Sequence, residues 1–290
     1  MTNQERQRTP HLLLSNDDGV HSPGLHLLAR RLRELGELLI CAPMFERSGA
    51  SHAITLNRSI QVSEVAIEEG MDAVATDGKP ADCVKYAVSN LYSRIGEPDP
   101  VIREDEPVPP VPYGPDLVVS GINSGLNLAN HIFYSGTVGA AMEGAFLGIP
   151  SVAFSLGTFN RPPGGAPVPG ALENAADIAA RLCRRLLDIG LPPFTCVNVN
   201  IPNIEPDRIK GLRLTRHGRF GFDTRYKRDH DEGGWRLSGK MSEIDDDDSP
   251  ELDYMAILEN CVSVTPLDLD LNNRKLHRLL CEQGLDGSAP

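Results

Sequence analysis

At 290 residues the chain is long enough for one large domain or a core with an appendage, and its 40% hydrophobic and 23% charged residues are the balance of a chain that buries a core in water. A net charge of −12 argues against a general surface for nucleic acid or anionic membrane, yet leaves room for a small phosphorylated substrate in a local site. The six cysteines (Cys41, Cys83, Cys183, Cys196, Cys261 and Cys281) are scattered without C-x-x-C spacing, which argues against a disulfide framework or zinc site and predicts reduced thiols in a cytoplasmic protein. Residues 1–10 are polar and lack an export core, and no later run approaches a membrane span.

Leu12–Leu14 predicts a strand buried on both faces. It ends at Ser15 and Asn16, and the adjacent carboxylates Asp17 and Asp18 follow before Gly19. Ser22 and Pro23 read as an N-cap and first helical residue, with Leu25, Leu28, Ala29, Leu32 and Leu35 at helical spacing. Both acids therefore sit on a strand-to-helix loop, the end of an open α/β sheet where ligands bind. Two neighbouring carboxylates call for a cation between them or a retained proton. A hard dication with oxygen ligands is one solution, and a plain Asp-Asp-Gly turn is the alternative.

A second strand is expected over Leu38–Ala42, followed by a loop holding Glu46, Arg47, Ser48 and Gly49. Alternation over Ile54–Ile67 predicts exposed or edge strands, Val74–Thr76 another strand, and Pro80–Leu91 a helix with Asp82 as a structural acid in its first turn. Seven prolines between Gly96 and Pro115 exclude helix or central strand and mark an exposed, acidic insertion. Asp116–Ser120 restores a buried strand, and Asn123 and Asn127 stand four apart in the Gly-rich loop after it. Ser135, Gly136 and Thr137 open a helix of small residues whose free N–H groups and positive dipole end can cradle phosphate; Ser and Thr also cap helices for purely structural reasons.

Further elements are a strand at Ser151–Ser155, a helix at Ala171–Ile189 and strands at Cys196–Ile201 and Cys261–Thr265. Arg216–Arg228 suits an exposed hairpin or subunit arm, Asp245–Asp248 a solvated acidic loop, and Asn273–Cys281 an amphipathic tail helix. The alternation gives an α/β, doubly wound, mostly parallel sheet with a C-terminal β-hairpin arm and tail helix. We divide it into a disordered tail (1–10), a catalytic core (11–212, with the insertion at 96–115) and an arm, returning strand and oligomerisation tail (213–290).

In a doubly wound order the first strand lies beside both the second and the Asp116–Ser120 strand, so the loops carrying Asp17/Asp18, Ser48 and Asn123 converge. Two carboxylates, a hydroxyl and a carboxamide form an all-oxygen set suited to one Mg²⁺ or Mn²⁺ ion. With a phosphate pocket alongside, this predicts phosphoester hydrolysis by metal-activated water.

The chain resembles the SurE (survival protein E) family of 5′-nucleotidases, through SNDDGVHSPG, RSGAS from Arg47, GKPADC from Gly78, SGINSGLN from Ser120, YSGTVGAAMEG from Tyr134 and CVSVTPL from Cys261. The resemblance implies a Rossmann-like fold and a metal-dependent phosphatase that acts on nucleoside 5′-monophosphates, with 3′-monophosphates and short polyphosphate as further substrates. It implies Asp17, Asp18, Ser48 and Asn123 as metal ligands, and Asn127, Ser135, Gly136 and Thr137 on the phosphate side with Asn16 nearby. We expect Asp17, Asp18 and Asn16 to be the catalytic residues. It also implies tail exchange between subunits, hence a homodimer or homotetramer; neither membrane nor stable nucleic-acid binding is expected. The insertion and Lys79, where the family pattern often has Thr, are departures. Two rivals remain: an aspartyl-phosphate enzyme with Asp17 or Asp18 as nucleophile, and a nucleotide-sensing module without turnover.

Overall fold

A computed structural model describes residues 8–92, 114–159, 166–229, 233–243 and 249–285. Its centre is β1 (His11–Ser15), where Leu12, Leu13 and Leu14 are all fully buried, as a run apolar on both faces requires. β1 pairs in parallel with β2 (Glu37–Pro43) on one side and with β5 (Leu117–Ser124) on the other. Outward from β2 lie β4 (Met71–Thr76) and then β3 (Val62–Glu68). Outward from β5 lie β6 (Ser151–Gly157), β7 (Cys196–Pro202), β11 (Val262–Leu267) and β8 (Leu212–Leu214). The strands from β4 to β7 are mutually parallel, while β3 and β11 run antiparallel to their inner neighbours. The strand order thus reverses between β1 and β5, which opens a crevice at their C-terminal ends.

Helices cover both faces. α1 (Pro23–Leu32) and α4 (Ala171–Ile189) pack over Leu12, Leu14, Val119 and Val152. α2 (Pro80–Tyr86) and α3 (Gly136–Phe146) pack together on the other face, over Leu13 and Val118. Ser22 caps α1 by accepting the Leu25 N–H at 3.4 Å, as the Ser-Pro pair predicts. Beyond the sheet, β9 (Phe220–Arg228) and β10 (Trp235–Glu243) form the expected hairpin, α5 (Asp253–Leu258) follows, and α6 (Arg274–Glu282) is the tail helix capped by Asn273.

Several boundaries differ from the sequence reading. The chain leaves α-helix at Tyr86 and continues as a wider π turn over Ala87–Leu91, although Ala87 and Val88 stay buried as predicted. Of the alternating Ile54–Ile67 segment only the part from Val62 onward meets a partner strand, because β4 offers pairing only there. β5 does not stop at Ser120. It runs through Gly121, where a Cβ would lie 2.5 Å from the Phe154 carbonyl oxygen, so the glycine serves strand packing and Asn123 stands at a strand end paired with Ser155. β8 and α5 are too short to leave a periodic signal. The expected insertion and the acidic run at 245–248 fall largely outside the described residues, as does most of the predicted N-terminal tail. Of that tail, Arg8 bonds Asp116 at 2.6 Å and the Pro10 carbonyl accepts from Glu37. No helix among the described residues is long and apolar enough to cross a membrane.

Candidate active site

The crevice at the β1/β5 switch is built by loops laced through their backbones. Arg47 N donates to the Asp17 carbonyl at 2.7 Å, Val20 N to Pro43 O at 2.8 Å and Met44 N to Thr76 O at 2.7 Å. These bonds tie the loops after β1, β2 and β4 into one rim. The Arg47 guanidinium adds bonds to the carbonyls of Asp77 and Gly78 at 2.8 and 3.3 Å. Asn16 donates from Nδ2 to the Gly19 carbonyl at 2.9 Å and to Ser22 Oγ at 2.7 Å, pinning the turn that carries the two acids.

Asp17 is 4% exposed, and its Oδ1 accepts the Thr137 hydroxyl; the Thr137 backbone N–H also donates to it. The first turn of α3 therefore faces this carboxylate, where the helix dipole favours negative charge. Gly136 is necessary there, since a Cβ would lie 2.8 Å from the Asp17 Cβ. Asp18 reaches the other wall, its Oδ2 accepting Ser124 N at 3.2 Å, one residue past Asn123. Burial pushes the Asp17 carboxyl above the ordinary range, an effect larger than the opposing bonds from Thr137. Burial also lifts Asp18, and the charge of Asp17 adds to it, bringing Asp18 to about 6. Glu46 repels both. The mutual repulsion of Asp17 and Asp18, with Glu46 adding to it from the neighbouring loop, favours a cation beside the pair.

Ser48 follows Glu46 on the same rim and donates from Oγ to Glu46 Oε1 at 2.5 Å. Asn123 donates from Nδ2 to the Gly125 carbonyl at 3.0 Å, so its amide nitrogen is occupied and its Oδ1 is the atom left to act as a ligand. At the floor of the crevice, where Ser15 pairs with Ser120, Ser15 Oγ, Ser120 Oγ and Asn16 Oδ1 are buried oxygens without a partner. The donor set is oxygen throughout, with two carboxylates and neutral groups, and this fits a hard dication. No group of three or more His, Cys, Asp or Glu side chains able to hold a metal gathers among the described residues, so a cation here would depend on the hydroxyl and carboxamide as well.

The predicted phosphate-side residues divide. Ser135 caps α3 by accepting Val138 N at 3.0 Å, and Gly136 opens the helix beside Asp17. Thr137 is turned to Asp17. Asn127 is buried in the scaffold: its Nδ2 donates to Ser155 Oγ at 2.8 Å, and its backbone is held by Asn198 and Asn200. Asp82 is structural, as expected, accepting from Thr55 Oγ1 at 2.6 Å and Lys79 N at 2.9 Å.

Two supports escape sequence reasoning. Glu143 of α3 is buried and bonds His52 at 2.7 Å and Lys85 at 2.6 Å, fastening the chain after Ser48 to α3. A single acid in a helix of small residues is the signal that could have marked it. Buried Asp253 of α5 accepts Ala129 N at 2.8 Å and Gly218 N at 3.2 Å, steadying the turn before α3. Nothing local in the sequence announces that contact across 124 positions.

A family model described as Survival protein SurE matches residues 12–224. The 5′-nucleotidase SurE of Pelobacter propionicus is 39% identical over 267 residues, covering 91% of this chain and 95% of that protein. That of Methylococcus capsulatus is 39% identical over 262 residues, covering 90% and 92%. A crystal structure of the SurE protein of Aquifex aeolicus superimposes with a TM-score of 0.71 at 36% identity, covering 94% of this chain and 99% of that one. Matches of this extent, on a chain whose loops gather at the same sheet crevice the motifs predict, place it in a family: the chain belongs to the SurE family.

Proposed function

We propose that this chain hydrolyses nucleoside 5′-monophosphates to nucleoside and phosphate, using one Mg²⁺ or Mn²⁺ ion held by Asp17, Asp18, Ser48 and Asn123. That it is an enzyme follows from its family, whose relatives carry the name 5′-nucleotidase. When bound, the dication would supply a nucleophilic water at neutral pH and screen the phosphoryl charge. Asp17 and Asp18 would provide the negative charge that holds it. Thr137 keeps Asp17 oriented through its hydroxyl, and the start of α3 at Ser135 and Gly136 would steady the phosphoryl oxygens by its dipole. Asn16 holds the acid-bearing turn in place. Asn127 would act by stiffening the loop behind the phosphate. Nucleoside 3′-monophosphates and short polyphosphate are secondary substrates of the same site. The proposal includes a reducing, cytoplasmic setting, in keeping with six unbridged cysteines, and a homodimer or larger assembly, in keeping with the exposed leucines of α6.

The observation that carries this reading is the bond from Thr137 to Asp17, which joins a cation-seeking loop to a helix N-terminus suited to anions. The test is phosphate release from AMP and GMP with Mn²⁺. Release should stop with a chelator, return with added metal, and fall at least about 100-fold in Asp17→Asn. Release that survives chelation, or near-normal turnover by the variant, contradicts the proposal.

A further inference from the structure

A groove of about 850 Å³ opens beside the candidate site, sharing Glu46 and Ser48 with it and continuing along Leu56, Asn57, Arg58, Asp77 and Lys79. Its size is that of a small-molecule site and exceeds what a phosphate ion needs. We propose that this groove seats the nucleoside part of the substrate, with Leu56 and Arg58 as stacking surfaces for the base and Lys79 as a hydrogen-bond donor. The inference rests on the nucleotidase reading and assigns the residues that would give that site its substrate selectivity.

Three features favour a planar, acceptor-bearing ligand. Leu56 is a large apolar side chain, 79% exposed, on a wall of the groove. Arg58 is held in one plane, Nη1 bonding Asp77 Oδ2 at 2.7 Å and the Ser59 carbonyl at 2.9 Å, and Nη2 bonding the Asp77 carbonyl at 3.0 Å. Asp77 is itself fixed by Gln61 N at 2.8 Å. A guanidinium pinned by three bonds in this way still offers its flat face, and such faces stack on aromatic rings. Lys79 places one donor on the Ile54 carbonyl at 3.0 Å and keeps two for base or ribose acceptors.

A purely anionic tail suits the groove less well. Two N–H groups of Arg47 and three of Arg58 are already engaged with Asp77, Gly78 and Ser59, and Glu46 and Asp77 add negative charge to the lining. Lys79 lies on this wall and outside the four-oxygen set.

The experiment compares AMP with phenyl phosphate, each with Mn²⁺, in the wild type, Leu56→Ala, Arg58→Ala and Lys79→Thr. The side chains of Leu56 and Arg58 are exposed, so these variants should fold; thermal midpoints check this. In Leu56→Ala and Arg58→Ala the ratio of kcat/KM for AMP over phenyl phosphate should fall about tenfold, chiefly through KM. Adenosine should inhibit phenyl phosphate hydrolysis competitively, about tenfold more weakly in each of these two. Lys79→Thr should lower the ratio several-fold. A wild type that prefers AMP, with variants keeping its ratio within twofold, overturns the groove and leaves the nucleotidase reading intact. A wild type with equal kcat/KM for both substrates likewise overturns the groove. Hydrolysis of phenyl phosphate with none of any nucleoside monophosphate overturns both.

Discussion

Asp17 and Asp18 are neighbours in sequence but bond to different parts of the fold: one to the start of α3, the other to the end of β5. Their shared burial has a thermodynamic consequence that can be checked without substrate. The folded-state value for Asp18, about 6, lies above its ordinary 3.8, so between these pH values the folded chain holds more proton than the unfolded one. Stability of the metal-free protein attributable to this group is therefore fully present below about pH 3.8 and is lost as pH rises through about 6. Asp18→Asn should be about as stable as the wild type near pH 4 and more stable at pH 7 in chelator, measured by denaturant midpoints. A difference that does not change with pH contradicts this. Gly136→Ala tests the close approach to Asp17: its Cβ would displace the carboxylate, and turnover should fall by at least about tenfold while far-UV circular dichroism is kept. The two acids and their loop were legible from the Asn-Asp-Asp-Gly run alone. The role of Thr137 was not, because a hydroxyl at a helix start reads equally as cap, phosphate ligand or partner of a distant carboxylate.

At the scale of elements, α3 is the piece that both halves of the site lean on. Its first turn meets Asp17, and Gly139 lets the chain after Ser48 run against it, since a Cβ there would lie 2.4 Å from the Ser51 carbonyl oxygen. Further along, Glu143 fastens His52 and Lys85. Burial alone would raise Glu143, but the bonds from His52 and Lys85 outweigh it and hold the carboxyl below its ordinary range. That contribution is present above about pH 4.5 and is lost as pH falls through the lower folded value. Glu143→Gln should cost about 1–3 kcal/mol at pH 7 by denaturant titration, and the difference should shrink below pH 4. An equal difference at both pH values would mean that packing, not charge, accounts for it. Helix α4, whose Ala171–Ile189 bounds match the sequence reading, shows that long amphipathic elements declare themselves. The extension of β5 through Gly121 does not, because glycine reads as a loop residue until the neighbouring strand is known to press against it.

For the whole molecule, strand order brings the site together. β1 lies between β2 and β5, so loops separated by about a hundred residues of chain meet at one crevice, an arrangement that alternating strands and helices made readable before any contact was known. The tail is the other whole-molecule feature. α6 buries none of its residues against this chain and leaves Leu276, Leu279 and Leu280 uncovered. In the proposed assembly they dock on a second copy, so a chain ending at Leu271 should show fewer chains per particle by light scattering, whereas an unchanged number of chains per particle removes the tail from the interface. Asp17, Asp18, Ser48 and Asn123 are proposed to surround a single cation, and on that the proposed chemistry depends. Anomalous scattering from a manganese-soaked crystal should show one peak bonded to oxygens of those four residues; a peak elsewhere, or none at the β1/β5 crevice, would contradict it.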